Sequence, residues 1–454
     1  MVMTEDGLNH ADGKAKAGAS PASSRGTGRP GLPGTAAASA PRWAVRVVAV
    51  GLVLAALNLR PAISALGPLL KEVRSDLGMS GTVAGLLTSV PALCFAVFGS
   101  LAPRLARRRG PVPVVLAGMV AITAGLALRP LAGGTVAFLA ASALALAGIA
   151  VSNVLMPVVV KRWFPTRIGA MTGLYSMGLA LGTACAAAVT VPMTEALGGS
   201  WRAGLGAWAL LGVLAALPWL VVLKDPVSRR AEPAADADPG ADEDGPAGAE
   251  SSSPRPARES ARIRVGTSPT AWALGIFFGL QATAAYIIMG WLPQIFRDAG
   301  VSASSAGLML AVTMGMGVPL AFVVPRLATR MRHQGPLVVA LGLCGLTGYA
   351  GLWLAPAGGA WLWALLLGIA NCAFPVALTM ISLRSRSSAG VVKLSAFAQS
   401  TGYLLSIPGP LLVGALHDAF GGWHAPLLLM TGLLLAQTVT GVLAGRDRVI
   451  EDGR

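Results

Sequence analysis

Charge is what this sequence has least of. Lys, Arg, Asp and Glu together make up 12% of its 454 residues, whereas 54% are hydrophobic and the mean hydropathy is +0.66. Ordinary soluble chains are about 25% charged, so a surface facing water on all sides cannot be assembled from this composition. The chain is expected to lie in a lipid bilayer. Cysteine is sparse too. Cys94, Cys185, Cys344 and Cys372 stand far apart inside apolar runs, with no C-x-x-C pair, which excludes a disulfide frame or a cysteine metal site. There is no H-E-x-x-H, no G-x-S-x-G and no pair of intramembrane aspartates, and His417 and His424 flank DAFGGW without an obvious third ligand. No metal, cofactor or enzymatic activity is therefore expected. A sensor is equally remote, because the sizeable polar stretches are of low complexity. Residues 1–41, rich in Gly, Ala, Ser and Pro, contain no run flanked as a signal peptide would be, and are read as a disordered, retained cytoplasmic tail.

What the chain has instead is apolar length. Twelve windows reach the roughly 20 residues a spanning helix needs: about 43–68, 82–102, 111–130, 135–160, 168–193, 202–223, 270–293, 304–324, 336–355, 358–382, 394–416 and 424–444. They are segments 1 to 12. Six precede and six follow a stretch at 224–268 whose Pro, Gly, Ser and acidic content cannot bury a core. The expected organisation is a six-helix bundle at 42–223, a disordered cytoplasmic linker at 224–268, a second bundle at 269–445 and a short cytoplasmic tail at 446–454. The net charge of +15 would suit nucleic acid in a soluble protein. Here the basic residues outside the tails cluster at the ends of apolar runs, and no nucleic-acid partner is expected. Thirteen Lys and Arg fall in the loops after segments 2, 4, 8 and 10, against five in the loops after the odd-numbered segments. That bias puts both termini and the linker in the cytoplasm, and the protein in the cytoplasmic (inner) membrane.

The halves repeat one another. Ala84–Arg108, AGLLTSVPALCFAVFGSLAPRLARR, aligns without a gap on Ala306–Arg330, AGLMLAVTMGMGVPLAFVVPRLATR, at an offset of 222 residues. Segments 4 and 10 share Gly-Ile-Ala and an Asn four residues before Pro, at Asn153 and Asn371. Parallel six-helix repeats about an axis along the membrane normal are the plan of major-facilitator transporters.

With the motifs NLRP (Asn58–Pro61), GLQATAAYIIMGWLPQIF (Gly279–Phe296) and FAQSTGYLLSIPGPLLVGALHD (Phe397–Asp418), the chain resembles the cyanate permease and nitroimidazole transporter family of the major facilitator superfamily. The resemblance covers about residues 43 to 445. It implies an all-α integral membrane fold of twelve transmembrane helices in two pseudo-symmetric bundles. The sequence departs from the superfamily's usual loop after segment 2, with Pro103 where an Asp is common and Ala106 at a Gly position. It also lacks the segment 4 Arg and the segment 5 Gly-Pro signature of many proton-coupled antiporters.

Arg60 stands out. It lies 14 residues after Arg46 and 11 before Lys71, which is about 21 and 16 Å of helix, near the midplane. A charge there costs about 2.5–3.5 kcal/mol on insertion scales, so it must face the bundle interior or a wet cavity. Two roles compete. Its planar fork could fix an anionic or acceptor-rich substrate, or it could bond carbonyls freed by Pro61. No other segment offers a clear midplane carboxylate to neutralise it, which favours an anion from solution. Asn58, Asn153, Gln281, Asn371, Gln399 and Tyr403 are the further candidate substrate contacts, each balanced against an ordinary interhelical hydrogen bond. Gln281 is placed by the repeat offset near the counterpart of Arg60, and Gln399 and Tyr403 share one face of segment 11. Arg104 and Arg326, equivalent in the two repeats, are the candidate gating residues. The expectation is a monomeric secondary transporter working by alternating access on a small anion or compact polar, cyanate-like solute. Efflux of a neutral nitroimidazole or azole is the alternative, and a coupling proton is left open.

Overall fold

The structure is a computed structural model that describes residues 42–224 and 265–452. The tail at 1–41 and most of the linker lie outside the described residues. All regular elements among the described residues are helical. Segment 1 begins as Arg42–Asn58 and continues as Pro61–Ser64, a 3-10 turn at Gly67–Leu69 and Leu70–Leu77. It therefore runs beyond the residue 68 expected from hydropathy. Segments 2 to 6 are Gly81–Arg109, Pro111–Leu128, Thr135–Trp163, Ile168–Ala196 and Trp201–Lys224, and segments 7, 9 and 12 are Pro269–Asp298, Gly335–Leu354 and His424–Ala444. Segments 8, 10 and 11 are each interrupted by one residue: Ala303–Gly315 and Gly317–Arg330, Ala360–Asn371 and Ala373–Leu383, Ser388–Ser406 and Pro408–Phe420. Among the described residues, eleven spans are long and apolar enough to cross a membrane. The twelfth, segment 11, has Lys393 and a run of Ser, Gln and Thr in its first helix, and Pro408 breaks it.

The break in segment 1 follows from Pro61. Proline supplies no N–H to the helix and disfavours helical geometry in the residue before it, and that residue is Arg60, at φ −117° and ψ −33°. Leu59 and Arg60 form the turn between the two helical pieces, midway along the span Trp43–Leu77.

Packing repeats the internal symmetry of the sequence. Segment 1 packs on 5 and 6, segment 2 on 4, and segment 3 on 4 and 6; in the second half 7 packs on 11 and 12, 8 on 10, and 9 on 10 and 12. The halves meet along two seams, segment 2 against 11 and segment 5 against 8. The free cysteines are buried or half-buried within this packing.

One end of the molecule is closed across the halves. Gly67 lies so near the Met289 carbonyl, and Gly414 so near the Gly81 carbonyl, that an added Cβ would collide with backbone. The Arg297 guanidinium grips Glu72 at 2.8 and 2.6 Å and the Pro68 carbonyl at 3.0 Å. Arg74 pairs with Asp418 at 3.3 Å, Lys71 with Asp298 at 3.6 Å, and Asp418 accepts the Thr82 amide at 3.0 Å. At the opposite, arginine-rich end the facing helices diverge: Gly169 and Gly173 of segment 5 and Gly317 of segment 8 have open space beside them.

Two boundaries differ from expectation. Lys224 ends a helix, and Val265–Thr267 form a 3-10 turn in which Val265 is buried, so the linker between the described helices is shorter than 224–268. The C-terminal stretch is anchored. Buried Arg384 donates to the Ala444 and Gly445 carbonyls at 3.1 and 2.9 Å, Ile450 donates to the Arg384 carbonyl at 3.0 Å, and Glu451 accepts from the Ser385 hydroxyl and the Arg386 amide.

Candidate substrate site

Arg60 projects from the segment 1 break and is half-buried. Its own carbonyl accepts the Ile63 and Ser64 amides at 3.0 Å, but its guanidinium makes no hydrogen bond or ion pair among the described residues. None of the chain's carboxylates stands in the middle of a segment. Three tyrosines, Tyr175 of segment 5, Tyr286 of segment 7 and Tyr403 of segment 11, lie within electrostatic reach of it. Aromatic surface completes the surroundings. Tyr403 stacks on Phe95 of segment 2 with centroids 5.2 Å apart and meets Phe278 edge-on at 5.3 Å. An unpaired planar cation among phenols and rings can hold an anion by charge and a flat molecule by stacking.

A different arginine binds backbone just beyond the break. Arg129, read from sequence as a loop charge at the end of segment 3, is 1% exposed. It donates to the Ala62 carbonyl at 2.8 Å and to Ser142 at 2.9 Å, with its guanidinium 5.6 Å from the Phe138 ring centre. Its position was hidden because apolar length alone cannot say that the turn after segment 3 folds inward.

The other candidates are distributed differently from Arg60. Asn58 is fully buried against Met119 of segment 3, with Nδ2 3.7 Å from the sulfur. Asn153 accepts a short hydrogen bond from the Tyr175 hydroxyl, and so reaches the Arg60 surroundings through that ring. Gln281, 1% exposed, donates to Asn371 Oδ1 at 2.8 Å and accepts from Gln437 at 2.7 Å. This triad ties segments 7, 10 and 12 together inside the second half, and it lines a small cavity with Tyr349. Gln437 went unnoticed in the sequence, where a lone Gln in an apolar run gives no pattern. Gln399 donates to Ser395 at 2.7 Å on its own helix. Tyr403 alone among these six stands in the ring around Arg60. Arg104 and Arg326 are exposed at the diverging end.

The family model described as Major Facilitator Superfamily matches residues 48–407. The chain belongs to the Major Facilitator Superfamily. This facilitator is 34% identical to an uncharacterized transporter of Bacillus subtilis (strain 168) over 88% of this chain and 94% of that one. It is 32% identical to the 2-nitroimidazole transporter of Escherichia coli (strain K12), over 89% and 96% of the two chains. Identity to the cyanate transport protein CynX of Escherichia coli (strain K12) is 30%, over 85% and 94%. Among solved structures, the nucleoside transporter NupG superposes with a TM-score of 0.68 at 11% identity, covering 87% of this facilitator and 99% of that chain. The facilitator is thus a multi-pass membrane transporter of the twelve-helix fold, acting on small molecules within a lipid bilayer.

Proposed function

We propose that this facilitator moves a small anion or compact polar, cyanate-like solute by alternating access, with Arg60 as its principal contact. The observation that supports this most is the unpaired Arg60 guanidinium at the helix break. A guanidinium near the midplane that bonds neither carboxylate nor carbonyl has its donors free for a ligand. Tyr175, Tyr286 and Tyr403 add hydroxyls beside it. Gln281, Asn371 and Asn153, already bonded to neighbours, act as supports of the site. The excess of Lys and Arg at the diverging end argues that this end is cytoplasmic, so the conformation is inward-facing. It also favours cytoplasmic termini and a location in the inner membrane. Arg104 and Arg326 stand where the cytoplasmic gate would close, and the protein is read as a monomer.

A second reading has its own support. The stacked Phe95 and Tyr403 rings suit a flat neutral azole, and one relative is named for 2-nitroimidazole. Proteoliposome uptake of labelled thiocyanate, an unreactive stand-in for cyanate, beside labelled 2-nitroimidazole separates the two. If the anion is the substrate, Arg60→Lys, which keeps charge but loses the planar fork, should bind it at least about tenfold more weakly, or about 1.4 kcal/mol. Arg60→Ala should bind it more weakly still. Unchanged anion affinity in Arg60→Ala removes the anion role, and saturable uptake of the azole alone favours the second reading.

A further inference from the structure

Arg129 has more donors than its contacts use. Of five N–H bonds, Nε serves Ser142 and Nη1 serves the Ala62 carbonyl. Nη2 has no partner among the described residues, and no carboxylate pairs with the guanidinium. A buried cation without a counter-ion is costly, by several kcal/mol per ion, and the hydroxyl and carbonyl it touches do not neutralise it.

The same guanidinium lines a small cavity whose walls also include Ile63, Leu66, Thr88, Leu146, Tyr286 and Gly290. The cavity lies between Arg60 and the ion-paired end. Ala62, whose carbonyl Arg129 holds, is two residues beyond Arg60. Tyr286, which lies within electrostatic reach of Arg60, forms part of the cavity wall, and its hydroxyl makes no hydrogen bond among the described residues. On the far side, the contact of Gly67 with the Met289 carbonyl and the bond from Arg297 to Pro68 close the path between the halves. The cavity therefore holds one charged donor edge and one neutral donor, with otherwise largely apolar walls, directly beyond Arg60.

We propose that Arg129 and the Tyr286 hydroxyl form a second station for a compact monoanion, between Arg60 and the closed end. The two guanidiniums then flank the segment 1 break, and an anion passes from one to the other as the closed end opens. Arg129 has a structural task as well, since it holds the backbone beside Pro61. This inference rests on the reading that the facilitator takes small anions.

Equilibrium dialysis of the purified full-length protein against labelled thiocyanate tests it. Wild type should approach two equivalents at saturation, and Arg60→Ala should retain one. In the Arg60→Ala background, Tyr286→Phe should weaken the remaining equivalent at least about threefold. Leu66→Phe, which adds bulk to the cavity wall while keeping Arg129 itself, should abolish it. Arg129→Gln should leave the Arg60 equivalent alone, and if that variant does not fold, Leu66→Phe decides the question. Saturation of wild type at one equivalent that disappears with Arg60→Ala, or an equivalent that survives Leu66→Phe in that background, overturns the second station while leaving the Arg60 reading intact. No binding of thiocyanate to wild type overturns both.

Discussion

Arg60 and Arg129 show what single residues disclose and what they hide. Depth arithmetic was enough to find Arg60, because a lone cation in the middle of a long apolar run has few places to go. Arg129 defeats the same arithmetic. It stands at the end of its run, where an arginine normally reaches the interface, and only the inward fold of the turn at 129–131 buries it. Gln281 was legible as a polar group worth watching, but its partners were not, since Asn371 and Gln437 lie 90 and 156 residues away in sequence. Its triad gives the residue-scale prediction. Gln281→Ala removes a donor from Asn371 and an acceptor from Gln437 in a buried setting, at a cost on the order of 1–3 kcal/mol. The melting temperature of the detergent-solubilised protein should fall by several degrees while the molecules that remain folded keep their ligand affinity. A large loss of affinity at unchanged melting temperature would instead make Gln281 a substrate contact.

Helices were the most legible elements, because twenty apolar residues have one stable form in lipid. Their interruptions were less so. Each break has a proline beside it: Pro61, Pro408, and Pro319 and Pro375 four residues after the helices that end at Gly315 and Asn371. But Pro91, Pro157 and Pro293 sit inside unbroken helices, so proline alone does not mark where a segment is interrupted. Lys71, Arg74 and Arg297, after segments 1 and 7, were read only as a minority in a topology count, yet with Asp298, Asp418 and Glu72 they fasten the halves together. Glu72 and Arg297 form the best-made of these pairs, bidentate and with the arginine side chain 14% exposed. Glu72→Gln should weaken the seam by about 1 kcal/mol, the upper range for an exposed pair, and so raise the open population near fivefold. A cysteine placed at Met289, behind that seam, should react correspondingly faster with a membrane-impermeant maleimide, and Glu72→Arg with Arg297→Glu should restore the slow rate. Equal rates in all three proteins would show that the glycine contacts alone hold this end.

Across the whole molecule, the offset of 222 residues between repeats already contained the architecture, and the paired packing of segments follows it. What the repeat could not reveal is how the C-terminal stretch is held: Arg384, the Ala444 and Gly445 carbonyls and Glu451 form a clasp at the end of the second half. Burial works against ionisation of Glu451, but the Ser385 hydroxyl and the Arg386 and Ser387 amides outweigh it and hold its carboxyl below the usual glutamate value. A depressed carboxyl contributes stability that is complete above its unfolded value and is lost as pH falls through the folded one. The clasp should therefore hold at neutral pH and release under acid. Hydrogen exchange at Arg386 and Ser387, corrected for intrinsic rate, should accelerate in Glu451→Gln at pH 7 and in wild type only at low pH; identical protection in both at pH 7 would dismiss the clasp. The lack of carboxylates in the middle of the segments has an electrical consequence. If the site accepts an anion between fixed guanidiniums and nothing there takes up a proton with it, each crossing moves net negative charge through the membrane field, at about 2.3 kcal/mol per 100 mV. A cell interior held negative would then drive the solute outward, and uptake against that voltage would need a second anion travelling the other way.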